Sequence, residues 1–207
     1  MKTLIILLVF FSASLSAQTE AWIHVGLGSP AADFPYDKSQ FLNLYWKNGL
    51  NFGAGVQVAA TRRLWIAPSI EYTYYRWDNF NFRGPMIPEL SIRSANGHNS
   101  HLYRFLIEVR YYAQTASILQ LFVTTGAGYT IEKIGAIQAT VDDMNNGAFT
   151  WNVQYPGRSY FTHNLGIGLR LNVIAPLAVD LTAKYFSDYS QRFHTSINAG
   201  LLCAITE

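Results

Sequence analysis

The sequence predicts an all-β chain, an eight-stranded antiparallel up-and-down transmembrane β-barrel, and three observations carry that expectation. Eight segments alternate apolar and polar residues with a period of two, and short and long connections alternate between them. Half of the 207 residues are hydrophobic and only 14% are charged, yet no stretch after the first 17 residues approaches the length of a membrane-crossing helix. Ordinary soluble domains carry roughly 25% charged residues, so much of this surface is not built for water. A tilted strand crosses a bilayer with about 9 to 11 residues where a helix needs about 20.

The chain opens with a secretory pattern. Met1 and Lys2 supply a short positive start, Leu4 to Phe11 an apolar run, and Ser12 to Ala17 a small-residue region suited to cleavage after Ala17. That run is too short to span a membrane as a helix. The expected organisation is a cleaved signal peptide over 1–17 and one β-barrel domain over 18–207. Lys2 is the one charged residue of the first segment, so 14 of the 15 basic residues and all 13 acidic ones remain after cleavage. A near-neutral chain without a basic run offers no electrostatic footprint for nucleic acid. Cys203 has no second Cys to pair with and lies in an alternating stretch, where it reads as a small hydrophobe.

The alternating segments follow in order. Ala21, Ile23, Val25 and Leu27 interleave with Glu20, His24, Gly26 and Gly28; Leu50, Phe52, Ala54, Val56 and Val58 interleave with Asn51, Gly53, Gly55 and Gln57. In the third, Ile66, Pro68, Ile70, Tyr72 and Tyr74 oppose Ser69, Glu71, Thr73 and Tyr75; in the fourth, Tyr103 to Tyr111 on odd positions oppose Arg104, Glu108, Arg110 and Tyr112. The fifth sets Leu119, Leu121, Val123, Ala127 and Tyr129 against Gln120, Thr124, Gly126, Gly128 and Thr130. The sixth sets Phe161, Leu165, Ile167, Leu169 and Leu171 against Thr162, Asn164, Gly166, Gly168 and Arg170. The seventh opposes Leu177, Val179, Leu181, Ala183 and Tyr185 to Asp180, Thr182 and Lys184, and the last runs from Ser196 to Ile205 with apolar odd positions. Short connections fall near 61–63, 114–116 and 174–175, and longer ones near 29–49, 78–101, 133–159 and 187–193. Outer-membrane barrels have short periplasmic turns and long outer loops, which places both termini on the periplasmic side.

Alternation by itself leaves open which face is inside, and a secreted lipocalin-like barrel with an apolar pocket has the same period. Three features favour a polar interior. Glycines crowd the polar faces, as the bore of an eight-stranded barrel requires. The same faces carry Glu71, Glu108 and Asp180 against Arg104, Arg110, Arg170 and Lys184, an expected interior network in which opposite charges neutralise one another. Aromatics including Tyr72, Tyr103, Tyr129 and Tyr185 gather on the apolar faces near the long connections, as interface girdles do.

With this signal, strand count and loop pattern, the chain resembles the small eight-stranded outer-membrane barrels of the OmpA and OmpX type over its whole mature length. The resemblance implies an integral outer-membrane location, outer-membrane lipid and the outer-membrane assembly machinery as partners, and no enzymatic activity. It departs from the family at its end, where Ala204-Ile205-Thr206-Glu207 replaces the usual terminal aromatic residue. A second, partial resemblance is to lipid A deacylases of the PagL type. His194-Thr195-Ser196 followed by Asn198-Ala199-Gly200 approximates their His-x-Ser and Asn-Ala-Gly stretch, with Ile197 intervening. Parity puts His194 and Ser196 on the inward face, away from an acyl chain, whereas a nucleophile and base must both reach substrate.

No metal, cofactor or catalytic residue is expected. His98, His101 and Asp142-Asp143 lie in long connections without a spacing that defines ligand geometry. The Gly-x-Gly pairs at 126–128 and 166–168 sit inside alternating segments with no helix start after them, so they are not phosphate loops. The function expected is display: a filled barrel holding long loops for an extracellular ligand or protein. Tyr36, Phe41, Tyr45 and Trp46 in the first long connection, and Phe149, Trp151 and Tyr155 in the third, are the candidate contact residues. A narrow pore and an accessory barrel for envelope assembly or secretion share this pattern.

Overall fold

A computed structural model describes residues 18–30, 46–77, 90–113, 118–133, 135–154, 157–188 and 193–206. The signal segment, Tyr36, Phe41, Tyr45 and Tyr155 lie outside the described residues.

Eight strands close into one antiparallel barrel. They are β1 (Thr19–Pro30), β2 (Trp46–Ala59), β3 (Leu64–Trp77), β5 (Ser100–Tyr112), β6 (Leu119–Lys133), β9 (Arg158–Ile174), β10 (Leu177–Asp188) and β11 (Phe193–Thr206). Their order around the barrel is β1-β11-β10-β9-β6-β5-β3-β2, and β1 pairs with both β2 and β11. Closure leaves no barrel strand with an unpaired edge, the condition for a sheet to stand in hydrocarbon. At 12 to 17 residues every barrel strand exceeds the crossing length.

The side-chain parity is the one the alternation predicts. Along β5, Tyr103, Phe105, Ile107, Val109 and Tyr111 face out, and Arg104, Glu108, Arg110 and Tyr112 are buried within. Ile167 is 66% exposed and Ile197 69% exposed, while Glu71 and Glu108 are 0% exposed. This is the reverse of a lipocalin-like barrel: the bore is polar and the outside apolar. Glycines make room within it. A Cβ at Gly168 would lie 2.2 Å from Cζ of Phe122, so the phenyl ring occupies the space that a side chain on β9 would need.

The short turns at Thr61–Arg63 and Ala175-Pro176 share one end of the barrel with Thr19 and Thr206. Thr61 Oγ1 accepts the amides of Arg63 and Leu64 at 3.2 and 3.0 Å, which fixes the first of these reversals. At the opposite end the structure corrects the sequence reading. The second and third long connections are not loops throughout, because they contribute β4 (Leu90–Gly97), β7 (Ile137–Asp143) and β8 (Gly147–Val153) to a second sheet of order β4-β7-β8. The first connection is shorter than 29–49, since β1 reaches Pro30 and β2 begins at Trp46, opposite Trp77.

The second sheet has its own local logic. Ile137, Ala139 and Val141 alternate with Gln138, Thr140 and Asp142 and are buried. Asp143 pairs with Gly147 across a three-residue turn, where Gly147 takes φ +84°. A three-residue hairpin needs a left-handed residue at this point, and glycine adopts it without a Cβ penalty. Asp143 closes the turn by accepting Asn145 N–H and Asn146 Nδ2–H, each at 2.8 Å. These bonds, the Asn146 side chain first and the Asn145 amide second, hold the Asp143 carboxyl below its usual range.

Two outcomes test this description. Replacing the outward Ile167 with Arg will cost about 2 to 4 kcal/mol of folding free energy near the bilayer midplane, read by urea titration of barrel folded into lipid vesicles; an unchanged midpoint contradicts the outward parity. Because its folded-state pKa is lowered, Asp143 adds stability to its turn that is complete above the unfolded value of about 3.9 and is lost as pH falls through the lower folded value. The Asn145 amide resonance will therefore titrate with a midpoint below that of a free Asp, and a midpoint at or above it contradicts the turn.

Candidate functional site: the charged bore and the outer sheet

The seven charged residues singled out in the sequence are all buried in the bore, and the bonds of Lys184, Arg170 and Asp180 cross it. Lys184 on β10 lies between two carboxylates, 2.6 Å from Glu71 Oε1 on β3 and 2.7 Å from Glu108 Oε1 on β5. Strands β10 and β3 are diametrically opposed in the barrel order, so this pair spans the full lumen. Arg110 joins Glu108 Oε2 at 3.5 Å and Asp180 Oδ2 at 3.3 Å, and donates to Gln57 Oε1 at 3.1 Å. Asn164 Nδ2 donates to Glu108 Oε1 at 2.6 Å from β9.

Arg170 forms a two-bond fork onto Glu20, Nη2 to Oε1 at 2.7 Å and Nη1 to Oε2 at 2.8 Å. A bidentate guanidinium–carboxylate pair gains geometric definition as well as energy. Arg104 lies opposite Glu71 in the β3–β5 pairing. Its Nη1 donates to Thr73 Oγ1 at 2.7 Å and its guanidinium carbon lies 4.4 Å from the Phe186 ring centroid. From Thr73 a relay of neutral groups continues: Thr73 donates to Asn51 at 3.1 Å, Asn51 to Asn198 at 2.9 Å, and Asn198 to Ser196 at 3.0 Å.

Glu20, Asn51, Gln57, Asn164 and Asn198, which the alternation places on the polar faces but outside the candidate network, are buried in the bore with it. Trp22, Leu102, Phe122, Phe186 and Leu202 also face inward, although an apolar residue there looks like an interruption of the pattern. Trp22 shows why it belongs: its ring lies 4.8 Å from the Arg110 guanidinium carbon and 5.7 Å from Lys184 Nζ. Trp65, Tyr112 and Phe122 form one buried cluster and Trp22, Ala178 and Leu202 another. Both lie toward the short-turn end, where they fill the bore with apolar volume.

The candidate contact residues divide. Trp46 opens β2, and Phe149 and Trp151 belong to β8 and not to a loop. Phe149 is 45% exposed and Trp151 half-buried. His194 and Ser196 lie on the inward face, where the His194 ring stacks on Tyr75 with Nδ1 3.2 Å from its hydroxyl and Ser196 accepts from Asn198. His101 Nδ1 bonds the Tyr72 hydroxyl at 2.8 Å, and Asp142 pairs with Arg93 at 3.0 Å. Among the described residues no three His, Cys, Asp or Glu side chains converge on one point.

No family model matches the chain, and no curated protein matches its sequence. Its structure is similar to that of Ail, the attachment invasion locus protein of Yersinia pestis, at 12% identity over 91% of this chain and 99% of that one, with a TM-score of 0.50. Neisserial surface protein A gives 13% identity, 90% and 96% coverage and a TM-score of 0.48. The N-terminal β-barrel domain of Pseudomonas aeruginosa OprF gives 11%, 90% and 99%, with 0.45. At these identities the likeness is one of fold, and the fold is that of the small eight-stranded outer-membrane barrels.

Lys184 is the residue on which two buried carboxylates depend. Replacing it with Met will destabilise the barrel by about 3 to 5 kcal/mol, because removing one partner leaves buried charge uncompensated. Adding Glu71→Gln to that variant will recover part of the loss in the same urea titration. A single variant as stable as the parent shows that the bore does not depend on this bridge.

Proposed function

We propose that the chain is a non-enzymatic integral outer-membrane barrel, exported by a signal over residues 1–17 and inserted by the outer-membrane assembly machinery, whose filled bore serves as a brace and whose outer structure contacts an extracellular ligand or protein. The observation that carries this reading is the inverted polarity of a closed barrel. A predominantly apolar exterior meets outer-membrane lipid, while the bore is taken up by charges paired across it. Eight strands give a bore about wide enough for side chains to fill, whereas water-filled porins use roughly 16 to 18.

Contact then falls to the end that carries β4, β7 and β8. There the described sheet presents Phe149 and Trp151 on one strand, aromatic residues of the kind that anchor interfaces. Tyr36, Phe41, Tyr45, Trp46 and Tyr155 complete the proposed set. Ail, which shares the fold, has been solved in complex with the heparin analogue sucrose octasulfate, a precedent for ligand binding by a barrel of this architecture.

The test is conduction. Purified protein reconstituted into planar bilayers will show no stable large-conductance opening, and the pair Glu108→Ala and Arg110→Ala will increase leakage by removing the mid-bore bridge. Reproducible porin-like conductance from the unaltered protein defeats the filled-barrel reading.

A further inference from the structure

The outer wall of the barrel is not uniformly convex. Across β2, β3, β5, β6 and β9 it carries an apolar depression of 1040 Å³. Small side chains form its floor, with Ala54, Pro68 and Ala127 standing where neighbouring strands present Ile70, Phe105 and Ile107. Its upper row runs in register through Ala54, Ile70, Phe105, Tyr129 and Phe161. Five strands at about 4.8 Å spacing make it about 19 Å wide across the wall, and along the strands it takes in this row and the next, Val56, Pro68, Ile107 and Ala127.

Above the depression the same three central strands change character. Tyr72 on β3 and Tyr103 on β5 face each other with ring centroids 5.2 Å apart. One step higher on the outward face stand Tyr74, His101 and Lys133, opposite one another across β3, β5 and β6. Arg76 follows on β3 and is exposed. The tyrosines are already fixed: Tyr72 bonds His101 at 2.8 Å, and Asn99 donates to Tyr74 at 2.6 Å. Lys133 Nζ sits 5.9 Å from the Tyr103 ring centroid. On these three strands no described carboxylate shares the outward face with Arg76 and Lys133.

We propose that this wall is a binding site for one membrane lipid with a phosphomonoester headgroup, its chain in the depression and its phosphate between Arg76 and Lys133. The inference rests on the outer-membrane reading above and adds to it a specific lipid class. With Lys47 opposite Arg76 on β2, at least two cations stand at this level, and a phosphomonoester, about −1.5 to −2 at neutral pH, answers that charge better than the single charge of a diester. Tyr129 and Lys133 are four residues apart on β6, about 13 Å along a strand, which leaves the tyrosine pair at the level of the lipid backbone. Apolar concavity, hydroxyls and cations thus succeed one another in the order of the parts of such a lipid.

The experiment uses the full mature protein folded in detergent micelles and native mass spectrometry with added dioleoyl phosphatidic acid, phosphatidylglycerol or phosphatidylcholine. Phosphatidic acid will be retained at the lowest added concentration. Lys133→Gln and Arg76→Gln will each raise that concentration about fivefold, in line with the contribution of one basic residue at an anionic lipid surface. Ala127→Trp fills the depression and will abolish the preference. Ala183→Trp, the same addition on the outward face of β10, will leave it intact. Ala54→Phe provides a second filling variant should Ala127→Trp fail to fold on a heat-modifiability gel. Retention of the three lipids at equal concentrations, or of phosphatidic acid by both filling variants as by the parent, overturns the site while leaving a membrane barrel. Release of the parent protein from vesicles by alkaline carbonate overturns both the site and the outer-membrane reading.

Discussion

The bridge from Lys184 to Glu71 and Glu108 is the interaction from which the rest of the barrel can be understood. Hydrogen bonds between neighbouring strands close the cylinder but say little about its cross-section, which a sheet can flatten at small cost. Lys184 reaches the strand diametrically opposite its own, Arg110 reaches from β5 to β10, and Arg170 from β9 to β1. Each bond is a strut. Burying these ions removes them from water at several kcal/mol per charge, and only mutual pairing with good geometry offsets that. The cross-section is therefore held near the distance at which the pairs form.

That requirement propagates outward. A bore filled with charge and amide groups leaves most inward positions polar, small or aromatic, with Leu102, Leu106 and Leu202 filling the space between. The intervening residues are left to meet the surroundings, and they are mostly apolar, with Thr125 and His163 as polar exceptions on β6 and β9. The inside and outside are thus two readings of one alternation. A one-residue slip in β3, β5, β9 or β10 would place a charge in lipid and an aliphatic chain among ions.

Much of this was legible in the sequence because the period of two is repeated over segments long enough to be unmistakable. The eight barrel strands, their parity and the inward position of Glu71, Arg104, Glu108, Arg110, Arg170, Asp180 and Lys184 follow from it. Who pairs with whom did not, since Lys184 and Glu71 are 113 residues apart and only the strand order brings them together. Trp22 and Phe122 were obscured for a different reason: an apolar residue at an inward position breaks the pattern, and its role as cover for Arg110 exists only in three dimensions. The second sheet is harder to read because strands of seven or eight residues are too short to cross a membrane. Its signals, the alternation at 137–142 and the Asn145-Asn146-Gly147 turn, are those of a soluble hairpin.

The make-up of that second sheet has a bearing on how the exposed end can change over time. Strand β4 comes from the segment between β3 and β5, and β7 and β8 from the segment between β6 and β9, yet β4 and β7 pair from Leu90 to Gly97 with one register shift between Ile92 and Ser94. Two stretches of chain that would otherwise drift independently are one folded unit. Variation in either must be accommodated by the other, so diversity at this end should accumulate in linked pairs and not residue by residue. An insertion on one side alone would detach a strand from its neighbour and expose the apolar face of Ile137, Ala139 and Val141.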